Sequence, residues 1–384
     1  MNPDGDVSTQ PRRAAGSAGS ASADNRSRLA GRAGLAVVAR DRGGDGVAYV
    51  GRLLARALGD LCDDEPKVVY LNPSSHASVS VLERARFTWN LLRAEVSGES
   101  DWWIFNHVGI ARAQRFVPQR VRRPYAVFLN GIEAWAPNLS SDRLAALMNA
   151  RARISISRHT ADRVRKTHPR VGVIHPCPLG LLDQEIVVGK PDEALIQLIR
   201  EKSVMIVGRM SSTERYKGHD ELLECWPSVV RNVPEAQLVV VGRGDDTSRL
   251  RAKAAELGLG NGILFAGFVT EATLAQLWKR VAVFAMPSGG EGFGLVYLEA
   301  MRASVPCIGS TADAAGEIVV DGETGYLVDR SVIPAIGAAM TRLLNAGELR
   351  RTMGNAGRRR YVAEFTYDRY LSRLKPILQD AFQR

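Results

Sequence analysis

Two short stretches of the chain hold residues whose types and spacing could do chemistry. The first is Gly208-Arg209 followed by Glu214-Arg-Tyr-Lys-Gly218. Arg209 and Lys217 are a forked cation and a point cation, a pair suited to gripping a diphosphate. The second is Ser288-Gly-Gly-Glu-Gly-Phe-Gly-Leu-Val-Tyr-Leu-Glu-Ala-Met-Arg302. Its glycines let the backbone approach a ligand closely, and the helix expected to open near Leu295 offers unpaired N–H groups to a phosphate. Glu291 in the loop and Glu299 in the helix can accept paired hydrogen bonds from sugar and ribose hydroxyls. Taken singly, each feature has a plain alternative: solvated loop charges, an ordinary loop Glu and a surface helix Glu.

The elements that must position these residues are legible as apolar runs. Strands are expected at Gly34 to Arg40, Lys67 to Leu71, Trp102 to Asn106, Tyr125 to Leu129, Ile154 to Ser157 and Val171 to Ile174. After a Pro- and Gly-bearing stretch at 176–191, strands resume at Ser203 to Val207, Gln237 to Val241, Ile263 to Ala266, Val281 to Ala285 and Pro306 to Gly309. Helical spacing marks Val47 to Leu58, Val81 to Glu95, Ser141 to Ala150, Glu221 to Val230, Thr247 to Leu257, Glu271 to Lys279 and Leu295 to Arg302. Strands alternating with helices argue for parallel sheets covered on both faces. At 384 residues the chain has room for two such domains. The expected division is a disordered tail at 1–32, a first domain at 33–180, a second at 181–364 and a closing helix at 365–384 that could cross back onto the first domain. In open parallel sheets ligands bind beyond the carboxyl ends of the strands, where Arg209 and the Ser288 loop both fall.

Composition narrows the class less than the motifs do. A net charge of +10 asks for an anionic partner without choosing among nucleic acid, acidic lipid and phosphorylated substrate. The four cysteines are far apart, without metal-like spacing, and read as reduced structural thiols. No apolar run reaches the ~18 residues of a membrane span and no signal peptide is legible, so the expected location is cytoplasmic. Gly43-Gly-Asp-Gly46 lacks the Gly-x-Gly-x-x-Gly spacing of a nicotinamide enzyme. No stacking platform or recognition motif for nucleic acid is visible either.

Read in order, five motifs resemble the family 4 retaining glycosyltransferases. They are Gly208-Arg209, Glu214-Arg-Tyr-Lys-Gly218, Val241-Gly-Arg-Gly244, the Glu291 to Glu299 pair with Gly292-Phe-Gly294, and Asp321-Gly-Glu-Thr-Gly325. The resemblance implies a GT-B fold, an α/β architecture of two Rossmann-like domains facing a central cleft. It implies that Arg209 and Lys217 hold the donor diphosphate, Glu299 the ribose, and Glu291 the flank of the sugar ring. Gly208, Gly242, Phe293, Gly294 and Leu295 would complete the donor site, the last three through backbone amides. The loop Gly43-Gly44 would approach the phosphates or the acceptor.

The reaction so implied is transfer of a hexose from a nucleotide-diphosphate sugar to a glycan or a lipid-linked sugar, with retention and no metal. GDP-mannose and UDP-sugars both remain open as donors. One position departs from the family pattern: Asn130-Gly-Ile-Glu133 stands where a His-Gly-x-Glu is usual. Asn130 can hydrogen-bond a hydroxyl but carries no charge, and His107 is the nearest candidate to compensate, although a lone histidine more often has a structural role. That departure is the argument for the alternative, a catalytically silent GT-B protein acting as a partner. Arginines among apolar residues at Leu82 to Arg93 and Arg112 to Arg123 suggest a helix lying on an anionic membrane surface; a solvated basic face over an ordinary core is the competing reading.

Overall fold

The computed structural model describes residues 28–39, 46–72, 79–182 and 189–383. The first sheet comprises β1 (Ala33–Ala39), β2 (Lys67–Asn72), β3 (Trp102–Phe105), β4 (Tyr125–Leu129), β5 (Ala152–Ser155) and β6 (His175–Pro176). Its helices are α1 (Gly46–Leu61), α2 (Val81–Val96), α3 (Val108–Ala111), α4 (Ile132–Trp135), α5 (Ser141–Met148) and α6 (Arg158–Thr167). The second sheet comprises β7 (Ser203–Val207), β8 (Gln237–Val241), β9 (Ile263–Gly267), β10 (Val283–Ala285), β11 (Cys307–Ser310) and β12 (Gly325–Val328). With it run α7 (Glu193–Gln197), α8 (His219–Asn232), α9 (Thr247–Glu256), α10 (Glu271–Arg280), α11 (Leu295–Arg302), α12 (Ala315–Ile318), α13 (Ile333–Asn345) and α14 (Gly347–Glu364). The chain closes with α15 (Tyr367–Phe382).

Every strand pair in both sheets is parallel, in the orders β2-β1-β3-β4-β5-β6 and β12-β11-β10-β7-β8-β9. The expected α/β class with two Rossmann-like domains is therefore correct. Central strands are buried along their whole length, β4 and β8 at all five positions, which is why they read as unbroken apolar runs. The order in which successive strands are added reverses between β7 and β10 in the second sheet and between β1 and β3 in the first. Crevices that receive ligands open at such switch points.

Some element readings shift. The strand expected at Val171 to Ile174 is instead the end of a 3₁₀ turn at Pro169–Val171, and pairing begins only at His175. Pro169 favours the helical start and Gly172 takes φ 81°, so the chain turns before it can extend. The strand expected at Ile154 to Ser157 ends at Ser155, because Ser157 leaves the sheet to cap α6. Val281 ends α10, which delays β10 to Val283. The tail reading reaches too far as well. Leu29 is 1% exposed and its N–H bonds the Leu61 carbonyl, so this apolar side chain joins the core next to Cys62.

Two crossings tie the halves together. Leu181 donates to the Phe365 carbonyl at 3.0 Å, and the Tyr49 hydroxyl joins the Gly180 carbonyl (3.1 Å) to the Leu182 amide (2.7 Å). Helix α15 then lies on the first sheet: Phe382 stacks on Trp102 with centroids 4.6 Å apart, and Arg151 donates to the Ala381 carbonyl. All four cysteines are buried and free.

Candidate active site

The second-sheet switch point gathers the candidate chemistry. Gly208 and Arg209 follow β7, and the Ser288–Gly294 loop follows β10. A Cβ at Gly242 would overlap the Gly208 carbonyl oxygen, so this glycine, expected at the donor, sets how closely the chain after β8 packs against the chain after β7. Lys217 folds back across Gly208 and places Nζ 2.7 Å from Glu291 Oε1; each side chain is 16% exposed. Burial works against the Lys217 charge, but the Glu291 carboxylate outweighs it and holds the ammonium above the usual lysine range. Arg209 is 60% exposed, pairs with Glu214 at 3.0 Å, and stands at the mouth of the site rather than in its floor. The Tyr216 ring sits where a side chain at Gly290 would project, while the Tyr216 carbonyl accepts from Gly289.

Helix α11 opens at Gly294, which takes φ 95° and supplies no side-chain cap. Its first N–H groups therefore have neither an intrahelical partner nor a side-chain cap. Phe293 turns its ring inward, 2% exposed and edge-on to Phe365 at 6.2 Å, leaving its backbone to the loop. Leu295 is half-buried at the first helical position. Glu299, one turn on, is half-buried, and burial raises its carboxyl above the ordinary range against the pull of Arg302.

From the first sheet, Asn130 and Gly131 reach this loop directly. A Cβ at Gly292 would overlap the Asn130 carbonyl oxygen, and Gly131 Cα lies next to it. Asn130 donates Nδ2–H to the Asn106 carbonyl at 2.8 Å, while its own N–H donates to Glu133 Oε1 at 2.6 Å. Its Oδ1 is enclosed without a protein partner, an acceptor left over where the family pattern has histidine. His107 does not join Asn130 as a second candidate: it caps α3, with Nδ1 accepting from the Gly109 N–H at 2.8 Å. Gly43 and Gly44 lie outside the described residues.

Asp313 escaped the sequence reading. It is 6% exposed and accepts from the Ala315 N–H (Oδ1, 3.0 Å) and the Glu291 N–H (Oδ2, 3.1 Å). Burial, with Glu291 adding to it, pushes its carboxyl up to about 6. The only sequence signal was a charged residue inside the small-residue run Ser310-Thr-Ala-Asp-Ala-Ala315, following a strand. A carboxyl that keeps its proton to about 6 when folded, against 3.8 ordinarily, takes up a proton on folding between those values. This contribution is complete below about pH 4 and is lost as pH rises through about 6, on the order of 3 kcal/mol at most. Melting temperatures measured from pH 4 to 7 should therefore fall less steeply with rising pH in Asp313→Asn than in the unaltered protein. Equal slopes would contradict the assignment.

With this geometry in place, comparison with known proteins gives a consistent result. Residues 190–360 match the family model described as glycosyl transferases group 1. A phosphatidyl-myo-inositol mannosyltransferase of Mycobacterium leprae is 38% identical over 157 residues, 41% of this chain and 41% of the relative. A GDP-mannose-dependent monoacylated alpha-(1-6)-phosphatidylinositol monomannoside mannosyltransferase of Corynebacterium glutamicum is 35% identical over 170 residues, 42% of this chain and 44% of the relative. The chain thus spans less than half the length of these two relatives. Among solved structures, Anabaena Alr3699/HepE in complex with UDP and glucose superposes with a TM-score of 0.73 at 16% identity, covering 91% of this chain and 100% of that one. Sucrose-phosphate synthase from Thermosynechococcus elongatus gives a TM-score of 0.73 at 21% identity, covering 92% and 99%. These likenesses show the GT-B fold, and together with the family match they bear out the resemblance to the family 4 glycosyltransferases.

Proposed function

We propose that this chain, a family 4 glycosyltransferase by fold and motif, moves a hexose from a nucleotide-diphosphate sugar to a lipid-linked sugar or glycan, with retention and without a metal. The observation that carries the reading is the half-buried Lys217–Glu291 pair beside the uncapped start of α11, at the switch point of the second sheet. In this account Lys217, Arg209 and the α11 N–H groups take the charge that develops on the departing diphosphate. Glu299 receives the ribose hydroxyls and Glu291 flanks the sugar ring. The acceptor hydroxyl attacks the anomeric carbon from the face the diphosphate leaves, and a phosphate oxygen takes its proton. No protein nucleophile is needed, so catalysis rests on positioning and charge stabilisation.

For the donor we favour GDP-mannose, because relatives 35% and 30% identical over part of this chain are named for it. A UDP-sugar is the other candidate, and solved GT-B neighbours carry UDP or UDP-glucose. Incubation with radiolabelled GDP-mannose or UDP-glucose, phosphatidylinositol-bearing vesicles and EDTA tests the reading. Labelled lipid bearing an α-linked sugar supports it. No transfer from either donor, with no nucleotide bound, favours the silent-partner alternative.

A membrane acceptor also fits the surface of the first domain. Ser80 and Glu83 form a capping box that fixes the start of α2, whose inner face buries Phe87, Leu91 and Ala94. Its outer face exposes Val81 (79%), Leu82 (81%), Trp89 (66%) and Val96 (63%), with Arg84, Arg86 and Arg93 exposed along the same helix. An apolar stripe with cations beside it is what an anionic bilayer surface binds. Among the described residues no helix is long and apolar enough to cross a membrane; the location proposed from the α2 surface is the membrane face on the cytoplasmic side. Co-sedimentation with vesicles rich in anionic lipid should fall at least tenfold in a Leu82→Glu, Trp89→Glu variant and weaken with salt. Binding unaffected by both would sink the membrane claim.

A further inference from the structure

The first domain does more than approach the donor loop, because the structure fastens it there. Gly292 presents its carbonyl to the start of α6, where it accepts from Ser157 Oγ at 2.5 Å and from Thr160 Oγ1 at 3.1 Å. In return, the second domain sends the Glu317 carboxylate into the first turn of the same helix. Glu317 Oε2 accepts the Arg158 N–H at 2.9 Å and Oε1 accepts the His159 N–H at 2.6 Å. Both are first-turn N–H groups that the helix cannot satisfy itself, and the helix dipole favours a negative charge there. Ser157 is at the same time the side-chain cap of α6, bonding the Thr160 N–H at 2.9 Å. Glu317 is itself anchored: Arg360 on α14 donates to the Glu317 and Ile318 carbonyls at 2.9 and 2.8 Å. The carboxylate is thus held on the second domain and spent on a helix of the first.

We propose that Glu317, Ser157 and Thr160 are positioning residues that lock the donor loop beneath the first domain, making the start of α6 part of the closed donor site. This rests on the donor-site reading given above. Glu317 and Thr160 touch neither the Lys217–Glu291 pair nor the start of α11. Their loss leaves the cation set that grips a diphosphate in place, and removes only the bonds that bring the two domains onto it.

The test compares the full chain with Glu317→Ala, Glu317→Gln and Thr160→Val. Thr160→Val preserves shape and the Ser157 cap, and it serves if the Glu317 variants fold poorly. Small-angle scattering without nucleotide should show a larger radius of gyration for Glu317→Ala than for the unaltered protein. In transfer assays kcat should fall on the order of 30-fold, while the affinity for GDP measured by calorimetry changes less than about threefold. Glu317→Gln, which keeps one acceptor oxygen, should fall between. Scattering and kcat unchanged in all three variants, with GDP still bound, would overturn the lock. Failure of the unaltered protein to bind any nucleotide would instead overturn the donor-site reading, and the nucleotide-free scattering comparison would still decide the lock.

Discussion

Replacing Lys217 with methionine should lower kcat/KM for sugar transfer roughly a thousandfold, the range found when a fixed charge aimed at a developing anion is removed. The ammonium is the most enclosed cation of the proposed donor site, and its charge is secured by Glu291 at 2.7 Å. Arg209, 60% exposed and paired with Glu214, is less enclosed by the fold, and its loss should cost less. Lys217→Met also strands the Glu291 carboxylate, so stability should drop by a few kcal/mol. The double variant Lys217→Met, Glu291→Gln separates these effects. With both charges gone the pocket has no uncompensated ion, so the melting temperature should recover while transfer does not. If activity returned together with stability, Lys217 would be a structural residue and the diphosphate would be held elsewhere. The measurement is a thermal melt paired with steady-state kinetics on all three proteins.

The second large effect is expected at Gly292. One methyl group there would overlap the Asn130 carbonyl oxygen across the domain boundary. The obstacle is backbone rather than the end of a flexible side chain, so the two domains must separate to make room. Gly292→Ala should leave nucleotide affinity within about threefold, because Arg209, Lys217 and the start of α11 belong to the second domain. Transfer should fall roughly a hundredfold, the cost of misplacing reacting groups by about an ångström. An alanine variant with unaltered kcat would show that the contact between Asn130 and Gly292 is dispensable for turnover.

These two residues also mark what could be read from the sequence and what could not. Strands such as Tyr125–Leu129, Ser203–Val207 and Gln237–Val241 were legible to the residue because burial on both faces leaves an apolar run interrupted by no polar residue after its first position. The Lys217 and Glu291 segments were legible because each is a short local motif after a strand. Their direct pairing across 74 positions was not, since it depends on how the β7 and β10 loops fold toward each other. Asp313, Glu317, Ser157 and Thr160 were invisible for a stronger version of that reason. Each does its work on a loop or domain remote in sequence, and none sits in a motif of its own. Helices α13 and α14 and strand β12 went unread, although Gly325 opening β12 was already part of a quoted motif. His107 follows the plainer of its two readings: a lone histidine at the end of a strand more often has a structural role, and its ring caps α3.

Calorimetric titration of the unaltered protein with GDP, UDP and ADP, alongside the Arg209→Ala, Lys217→Ala double variant, tests the donor site most directly. The predicted result is clear binding of one nucleotide, GDP in preference to the others, abolished in the double variant. No binding of any of the three at millimolar concentration, or equal binding by the variant, would contradict it.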